Sequence, residues 1–224
     1  MFNSKFSSLL TVLLVVSIIG IVGILIYVGY SFYNKYYINA SAQDAVDAFQ
    51  EAVVDNGKTI SLGNQTNDQN GEDLPDVEMV SDKKPATTFQ KPTYQGYAMV
   101  GTLSIPSIKI EYPVLEKVTT TTLKIALAYL CGPGINEVGN TVIQGHNYRN
   151  GLFFSNLSKV KAGSSIFLTD IYGQKIEYEV YRNFQAEATD TSFYVRDTEG
   201  KREITLSTCT EDAAIRTIVL AREK

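Results

Sequence analysis

The N-terminal part of the chain is a long apolar run without charge. No charged side chain occurs between Phe6 and Asn34, and Leu9 to Tyr30 is almost entirely apolar. As a helix, these 22 residues would be about 33 Å long, enough to cross a bilayer core of about 30 Å. Tyrosines cluster at the end of the run, as in an interfacial belt: Tyr27, Tyr30, Tyr33, Tyr36 and Tyr37. The pattern predicts a transmembrane helix at 9–30 after a short segment at 1–8.

A cleaved signal peptide is the alternative to an anchor. Ala40-Ser41-Ala42 has the small-x-small form of a cleavage site. However, the apolar core of a signal peptide is about 7–15 residues long, so this longer run favours an uncleaved anchor. Lys5 and Lys35 flank the run almost symmetrically, and the charge pattern therefore leaves its orientation open.

A mostly polar spacer at 31–92 follows the anchor. Apolar residues recur at helical spacing near its start, at Val46, Phe49 and Val53. Together with Gly57 as a stop signal, this spacing predicts a short helix at 42–55. Residues 57–92 are rich in Asn, Asp, Gln, Gly, Lys and Pro, a composition that predicts a flexible, solvated linker.

From residue 93 onward the pattern changes to short apolar or alternating segments separated by Pro and Gly turn signals. A run at 121–130 has helical spacing, and 152–157 is long enough for one helical turn. The segments typical of strands are 98–105, 108–112 (ended by Pro113), 141–144, 165–169, 175–184, 203–208 and 216–221. Many short strands with few helices predict a closed β-barrel or sandwich.

The net charge of −4 is unevenly spread. Residues 40–92 carry ten acidic and four basic side chains, whereas residues 93–224 carry fourteen of each. A neutral domain without a basic stripe argues against nucleic acid as a partner, because phosphate binding needs clustered Lys and Arg.

Two cysteines cannot form a dense disulfide framework. One histidine and two distant cysteines also offer almost no ligands for a Cys/His metal site.

The candidate chemistry rests on one histidine, one cysteine and one arginine. His146 is the only histidine, Cys209 ends the segment Thr205–Cys209, and Arg216 follows seven positions later. A thiol nucleophile needs an acid–base partner and a group that stabilises charge on the attacked carbonyl. If Cys209 is a catalytic thiol, His146 is its expected partner.

The strand pattern also predicts the direction in which the Cys209 side chain points. In a strand that ends at Cys209, positions 205, 207 and 209 share one face, and the apolar Ile204 and Leu206 share the other. Cys209 is therefore expected on the more polar face, where it points away from the core. Each candidate alone also has an ordinary interpretation: a small buried cysteine, a structural histidine or a surface arginine. Cys131 keeps the packing interpretation, and Arg222 in the charged tail competes with Arg216.

Taken together, these segments resemble the sortase family of Gram-positive bacteria. Thr205–Cys209 matches the family's T-L-x-T-C signature, and Gly139–His146 matches the G-N-x-V-I-x-G-H stretch around the family histidine. Arg216–Val219 matches R-x-V-V with Ile in one place. The other matching segments are 101–106, 112–115, and Phe154 and Leu157 followed by 161–164, where Ser164 replaces the usual Asp. The resemblance covers residues 94–224.

The resemblance implies a mainly β fold, a closed eight-stranded β-barrel with short helices, as the catalytic domain at 93–224. It implies a cysteine transpeptidase that recognises an LPXTG-like sorting signal near the C-terminus of a secreted protein. The Cys209 thiolate would attack the carbonyl of the signal's Thr, break the bond to Gly and form a thioester. An amine of peptidoglycan or its lipid-linked precursor would then resolve that thioester.

The resemblance also assigns roles. His146 would transfer protons, and Arg216 would bind the oxyanion or the substrate backbone. Secondary candidates for the oxyanion or substrate site are Thr208, Thr205 and Ser207. No cofactor or metal is implied for catalysis, although some family members bind calcium. The acids that such a calcium site would draw on here are Glu177, Glu187 and Asp190.

Membrane attachment fits this activity, because secreted substrates and a lipid-linked acceptor both reach the enzyme at the outer membrane surface. The resemblance therefore implies a single-pass protein of the Gram-positive cell surface, with its N-terminus in the cytoplasm and its domain outside.

A short loop before the last strand, without class B or class C features, favours a class A or class D-like member. Two alternatives stay open: a thiol peptidase that hydrolyses the thioester, and a non-enzymatic, membrane-tethered β domain with an inert Cys209.

Overall fold

The computed structural model describes residues 4–63 and 91–224, apart from residue 213, and describes the side chains of the first range from residue 8 to residue 54. Most of the predicted linker at 57–92 lies outside the described residues. The helices are α1 (Ser4–Gly63) and α2 (Thr122–Ile125), with 3-10 turns at Pro106–Ile108 and Leu157–Lys159. The strands are β1 (Thr93–Tyr94), β2 (Tyr97–Ile105), β3 (Ile110–Leu115), β4 (Leu127–Cys131), β5 (Gly139–Gln144), β6 (Ser165–Asp170), β7 (Lys175–Glu187), β8 (Arg202–Cys209) and β9 (Ile215–Glu223).

Eight of these strands close into a barrel in the order β2-β3-β4-β5-β8-β9-β7-β6, because β6 pairs back with β2. The short β1 extends β2 as a hairpin. The β3–β4 and β5–β8 ladders are parallel, and the other ladders of the barrel are antiparallel. The predicted closed eight-stranded barrel is therefore confirmed.

The barrel is filled by aliphatic and aromatic side chains from every part of the sheet. Leu103, Ile143, Leu206 and Val219 have no exposed surface. Each such side chain contributes about 1.5–3 kcal/mol through its removal from water. The core therefore holds β5, β8 and β9 rigidly beside one another.

Two short elements differ from the sequence prediction. The helical spacing at 121–130 ends after one turn, because Ala126 is extended and the apolar residues after it form β4, which pairs with β3 and β5. A short apolar run fits a helix or a buried strand equally well, and here the two neighbouring strands decide. Pro113 does not end its strand but lies inside β3, opposite Thr102, before the ladder to β4 begins at Val114.

The turn expected at 152–157 is displaced along the chain. The structure places a 3-10 turn at Leu157–Lys159 instead. Leu152, Phe153 and Phe154 lie before that turn and are buried. The apolar character of this segment therefore reports burial against the barrel rather than helix formation.

One helix among the described residues is long and apolar enough to cross a membrane, and it is the N-terminal part of α1. Its side chains from residue 8 to residue 34 are exposed. An exposed apolar helix of this length is consistent with the predicted anchor at 9–30.

The last described turns of α1 belong to the barrel unit, which begins at Ala42 rather than at residue 93. The residues of α1 buried in this unit recur at helical spacing and are Ala42, Ala45, Val46, Phe49 and Val53. Phe49 and Val53 join a cluster with Ala126, which follows α2, and with residues of β1, β2, β3 and β4: Tyr94, Met99, Leu115 and Ala128. The helix predicted at 42–55 is thus part of α1, and its apolar face packs on the barrel instead of lying in a solvated spacer.

Candidate active site

Cys209 is the last residue of β8, and β8 lies between β5 and β9. On one side, β5 runs parallel to β8 with Gln144 opposite Ser207. On the other side, β9 runs antiparallel with Arg216 directly opposite Cys209. Because β5 and β8 end at the same edge and β9 begins there, the predicted cysteine and arginine meet the segment that leads to His146.

Arg216 contacts the sulfur of Cys209 directly. Its Nη1 donates a hydrogen bond to Cys209 Sγ over 3.1 Å. Both residues are half-buried, and Cys209 is a free thiol. A guanidinium carries its charge at any working pH, and a cation beside the sulfur stabilises the thiolate, which is the reactive form of cysteine.

Three hydrogen bonds tie the His146 segment to the end of β8. The Gly145 N–H donates to the Ser207 carbonyl over 3.1 Å. The Thr208 hydroxyl donates to the Gly145 carbonyl over 2.8 Å. After the histidine, the Asn147 side-chain amide donates to the Cys209 carbonyl over 2.9 Å. His146 therefore lies between two residues that are both anchored to the strand of the candidate nucleophile.

The position of His146 also depends on close packing. A Cβ atom at Gly145 would lie 2.6 Å from side-chain atoms of Leu127 and Phe154, so a larger residue cannot occupy this position without a shift. The Phe154 N–H donates to the His146 carbonyl over 3.2 Å. The rings of His146 and Tyr148 meet edge to face with centroids 4.2 Å apart. These contacts fix both the backbone and the ring of His146.

The surroundings of His146 favour its neutral form. Burial lowers the pKa of the imidazole below its ordinary value, and the positive charge of Lys124 lowers it further. A mostly apolar cavity of about 410 Å³ lies beside the ring. Its lining comes from the segment around α2, the end of β5 and the residues after it: Val118, Thr119, Thr120, Leu123, Lys124, Gln144, His146 and Tyr148.

The polar face of β8 is covered by other protein residues at Thr205 and Ser207. Thr205 and Ser207 have no exposed surface. Thr205 Oγ1 accepts from Arg196 over 2.8 Å and donates to Asn140 over 2.9 Å, and Ser207 Oγ lies 3.0 Å from Tyr194 Oη. The segment at 188–201 covers this face, so neither side chain is accessible to a substrate.

Thr208 is likewise buried, with 1% of its surface exposed. Its hydroxyl is used in the bond to Gly145. The structure therefore gives the Thr208 hydroxyl a part in holding the His146 segment. The role predicted for Thr208 at the oxyanion stays a prediction.

The competing cysteine, the competing Arg222 and a third arginine, Arg149, make other contacts. Cys131 is half-buried at the end of β4, and burial raises the pKa of its thiol. Arg222 is ion-paired with Glu203 at 2.7 Å. Arg149 donates to the Glu211 carbonyl over 3.0 Å. By contrast, Arg216 donates directly to the Cys209 sulfur.

The acids considered for calcium do not assemble into a site. Glu177 accepts hydrogen bonds from Ser165 and Lys224, over 2.8 Å and 3.0 Å. Asp190 accepts from the backbone and hydroxyl of Ser192, and Glu187 lies at the end of β7. Within the described part of the chain, no group of three or more His, Cys, Asp or Glu side chains is arranged to hold a metal ion.

The sequence did not identify three polar residues that organise the site. Asn147 bonds the Cys209 carbonyl, and Tyr194 and Arg196 bond the polar face of β8. Only Asn147 carried a signal, since it directly follows the candidate histidine. The other two lie in a segment between strands whose partners are not visible from local spacing.

Comparison with known proteins gives a consistent result. Residues 103–224 match the family model described as Sortase domain. Sortase A of Bacillus anthracis is 30% identical over 186 residues, which cover 82% of this chain and 80% of that protein. Among solved structures, the Clostridium perfringens Sortase D5 transpeptidase covers 83% of this chain and 99% of its own, with a TM-score of 0.57 and 20% identity. A lid mutant of Sortase A from Corynebacterium diphtheriae covers 82% and 95%, with a TM-score of 0.54 and 24% identity.

These matches agree with the closed barrel and extend over most of the chain. The family model alone covers more than half of the residues. The matched region contains β5, β8 and β9 together with Cys209 and Arg216. The chain therefore belongs to the sortase family, whose members are transpeptidases of the cell wall.

Proposed function

We propose that this protein cleaves an LPXTG-like sorting signal between Thr and Gly and transfers the new C-terminus to an amine of peptidoglycan or its lipid-linked precursor. The observation that carries the proposal is the 3.1 Å hydrogen bond from Arg216 Nη1 to Cys209 Sγ at the strand end beside the His146 segment. A half-buried thiol paired with a cation is suited to nucleophilic attack rather than to packing.

In the first step, the Cys209 thiolate attacks the carbonyl carbon of the signal's Thr. A carbon–sulfur bond forms, and the carbonyl oxygen takes up negative charge that Arg216 stabilises by hydrogen bonding. The carbon–nitrogen bond to Gly then breaks. Protonated His146 gives its proton to the leaving amine, which departs with the Gly-containing fragment.

In the second step, an amine of the acceptor attacks the carbonyl carbon of the thioester. His146, now neutral, takes a proton from the attacking nitrogen. The carbon–sulfur bond breaks, a new amide bond forms, and Cys209 leaves as the thiolate. The reactive pair of thiolate and protonated His146 with which the cycle began is restored, so the cycle consumes no cofactor.

The N-terminal helix supports the cellular setting of this reaction. We place the anchor at 9–30, with the N-terminus in the cytoplasm and the barrel outside, as a single-pass protein of the Gram-positive cell surface. Secreted substrates and a lipid-linked amine both reach that surface, and tethering raises the effective concentration of the enzyme there.

The test is a product analysis with the detergent-solubilised full chain. It is incubated with an LPXTG-type peptide, with and without oligoglycine and diamino-acid acceptors, and the products are read by mass spectrometry. The proposal predicts a peptide ligated to an added amine through the Thr carbonyl. Free acid as the sole product with every acceptor would favour the thiol peptidase, and no cleavage of any sorting peptide would contradict the proposed reaction.

A further inference from the structure

The face of β8 that carries Cys209 is a continuous row of polar residues, and each has a side-chain partner. The row consists of Glu203, Thr205, Ser207 and Cys209, and the residues between them, Ile204, Leu206 and Thr208, are on the other face. Arg196 and Tyr194, both from the segment at 188–201, provide partners for the first three. Cys209 at the end of the row is paired with Arg216 instead.

Arg196 is the side chain that joins this segment to the row. Its Nε and Nη2 donate to Glu203 Oε2 over 2.8 Å and 2.6 Å. Its Nη1 donates to the Thr205 hydroxyl over 2.8 Å and to the Phe193 carbonyl over 2.6 Å. One guanidinium therefore binds the strand and the backbone of its own segment simultaneously.

Glu203 is a buried anchor for this arrangement. Its side chain is 2% exposed and also pairs with Arg222 at 2.7 Å. Burial acts to raise the pKa of Glu203, but the hydrogen bonds from Arg222 and Arg196 hold that pKa below its ordinary value. The carboxylate is thus charged in the folded protein, and a charge at this depth requires a cationic partner. Either arginine alone supplies one.

Further contacts between the segment at 188–201 and the barrel lie closer to Cys209. The Asn140 amide donates to the Tyr194 carbonyl over 2.8 Å. Phe193 packs with Ile218 and Leu220 of β9, and Tyr194 Oη lies 3.0 Å from Ser207 Oγ. Ser207 and Cys209 are successive positions on one face, about 7 Å apart. The Tyr194 hydroxyl therefore contacts the residue next to Cys209 in the row.

We propose that Arg196 is a positioning residue that fixes the segment at 188–201 on β8, so that this segment forms a pre-ordered wall of the peptide site beside Cys209. The inference rests on the proposed function for its substrate, a sorting peptide. An extended peptide that reaches the sulfur over the polar face of β8 would contact this segment, because Tyr194 and Arg196 cover that face at Ser207 and Thr205. A pre-ordered wall lowers the entropy cost of binding, and its loss weakens binding more than the chemical step.

The chain offers a matched control in Arg222. Arg196 and Arg222 pair with the same carboxylate, but of these two only Arg196 bonds the segment backbone at Phe193 in the described structure. Arg222→Ala therefore removes a guanidinium from Glu203 without removing the link to the segment. Arg196→Lys keeps a positive charge near Glu203 but lacks the planar fork that bonds three partners at once.

The experiment measures hydrogen exchange and kinetics on the full chain in detergent. The Tyr194 amide, which donates to the Thr191 carbonyl over 2.9 Å, reports on the order of the segment without any substrate. We expect Arg196→Ala and Arg196→Lys to speed exchange across 188–201 by about tenfold. We also expect them to raise KM for an LPXTG-type peptide by about tenfold and to change kcat by less than about threefold. Arg222→Ala should match the wild type in both measurements.

Unchanged exchange in a folded Arg196→Lys variant would overturn the inference, and so would an equal effect of Arg222→Ala. If Arg196→Ala does not fold, the lysine variant decides alone. The exchange measurement needs no turnover, so it tests whether Arg196 orders the segment even if the wild-type protein processes no sorting peptide. In that case the proposed function fails, and the exchange rates alone decide the structural role of Arg196.

Discussion

Arg216 and Cys209 face each other across the β8–β9 ladder, and the arginine donates a hydrogen bond to the sulfur over 3.1 Å. The two residues belong to neighbouring antiparallel strands, so their separation is set by the sheet itself. A mobile loop is not needed to bring them together. The barrel thereby places a permanent positive charge beside the nucleophile before any substrate binds.

Arg216→Ala should lower kcat/KM for sorting-peptide cleavage by about 10²–10⁴-fold, because the thiolate and the oxyanion lose their cationic partner. Arg222→Ala is the matched control on the same strand and should remain within about threefold of the wild type. Steady-state kinetics with a quenched fluorescent peptide measure both. Near-normal activity of Arg216→Ala, with loss in Arg222→Ala or Arg149→Ala, would move the role to another arginine.

His146→Ala should lower kcat by about 10²–10⁴-fold while leaving the fold intact, because it removes the group that protonates the leaving amine. Circular dichroism checks the fold, and the same peptide assay gives the rate. A variant that cleaves at the wild-type rate would exclude His146 as the acid. Since no other histidine exists in the chain, the proton donor would then have to be a different chemical group.

Lys124→Met should raise the pKa of His146, because the lysine charge is one of the causes that lower it. The protonated form of His146 then persists to higher pH, and the alkaline limb of the kcat profile should move upward with it. The single histidine makes the titration unambiguous by NMR of its ring protons. Lys109→Met, a charge change at an exposed residue in another part of the barrel unit, serves as the control. An unchanged or lower pKa in Lys124→Met would contradict the assigned electrostatics.

Phe49→Ala in a fragment of residues 42–224 should reduce the free energy of unfolding by about 3–5 kcal/mol, because it empties a fully buried position between α1 and the barrel. Glu51→Ala, an exposed position on the same helix, should change it by less than about 0.5 kcal/mol. Urea unfolding followed by circular dichroism measures both values. The same reasoning predicts that a fragment of residues 93–224 melts at a lower temperature than residues 42–224. Equal melting temperatures would show that the α1 contact contributes nothing.

The sequence predicted the barrel, which is confirmed, and a candidate catalytic trio, which stays a prediction; both rested on identifiable signals. Alternating segments and turn residues marked the strands, and motifs around His146, Cys209 and Arg216 carried the resemblance. Adjacent strands then explain why residues 63 and 70 positions from the histidine reach the same edge of the sheet.

What the sequence did not predict is which residues pack against the apolar face of α1 and against the polar face of β8. Periodicity showed that Val46, Phe49 and Val53 share a side of a helix, but it does not reveal the partner, which comes from β1 to β4. Alternation likewise showed that Thr205 and Ser207 are on the polar face of β8, but it does not reveal what lies against that face. Tyr194 and Arg196 cover it, through tertiary contacts without a local signature.

The central claim is that Cys209 carries the acyl group, and trapping the intermediate tests it most directly. The wild-type chain, Cys209→Ala and Cys131→Ala are incubated with an LPXTG-type peptide without acceptor, quenched in acid, digested and mapped by mass spectrometry. We predict a hydroxylamine-sensitive adduct on Cys209 in the wild type and in Cys131→Ala, and none in Cys209→Ala. An adduct on Cys131, or peptide cleavage by Cys209→Ala, would contradict the assignment.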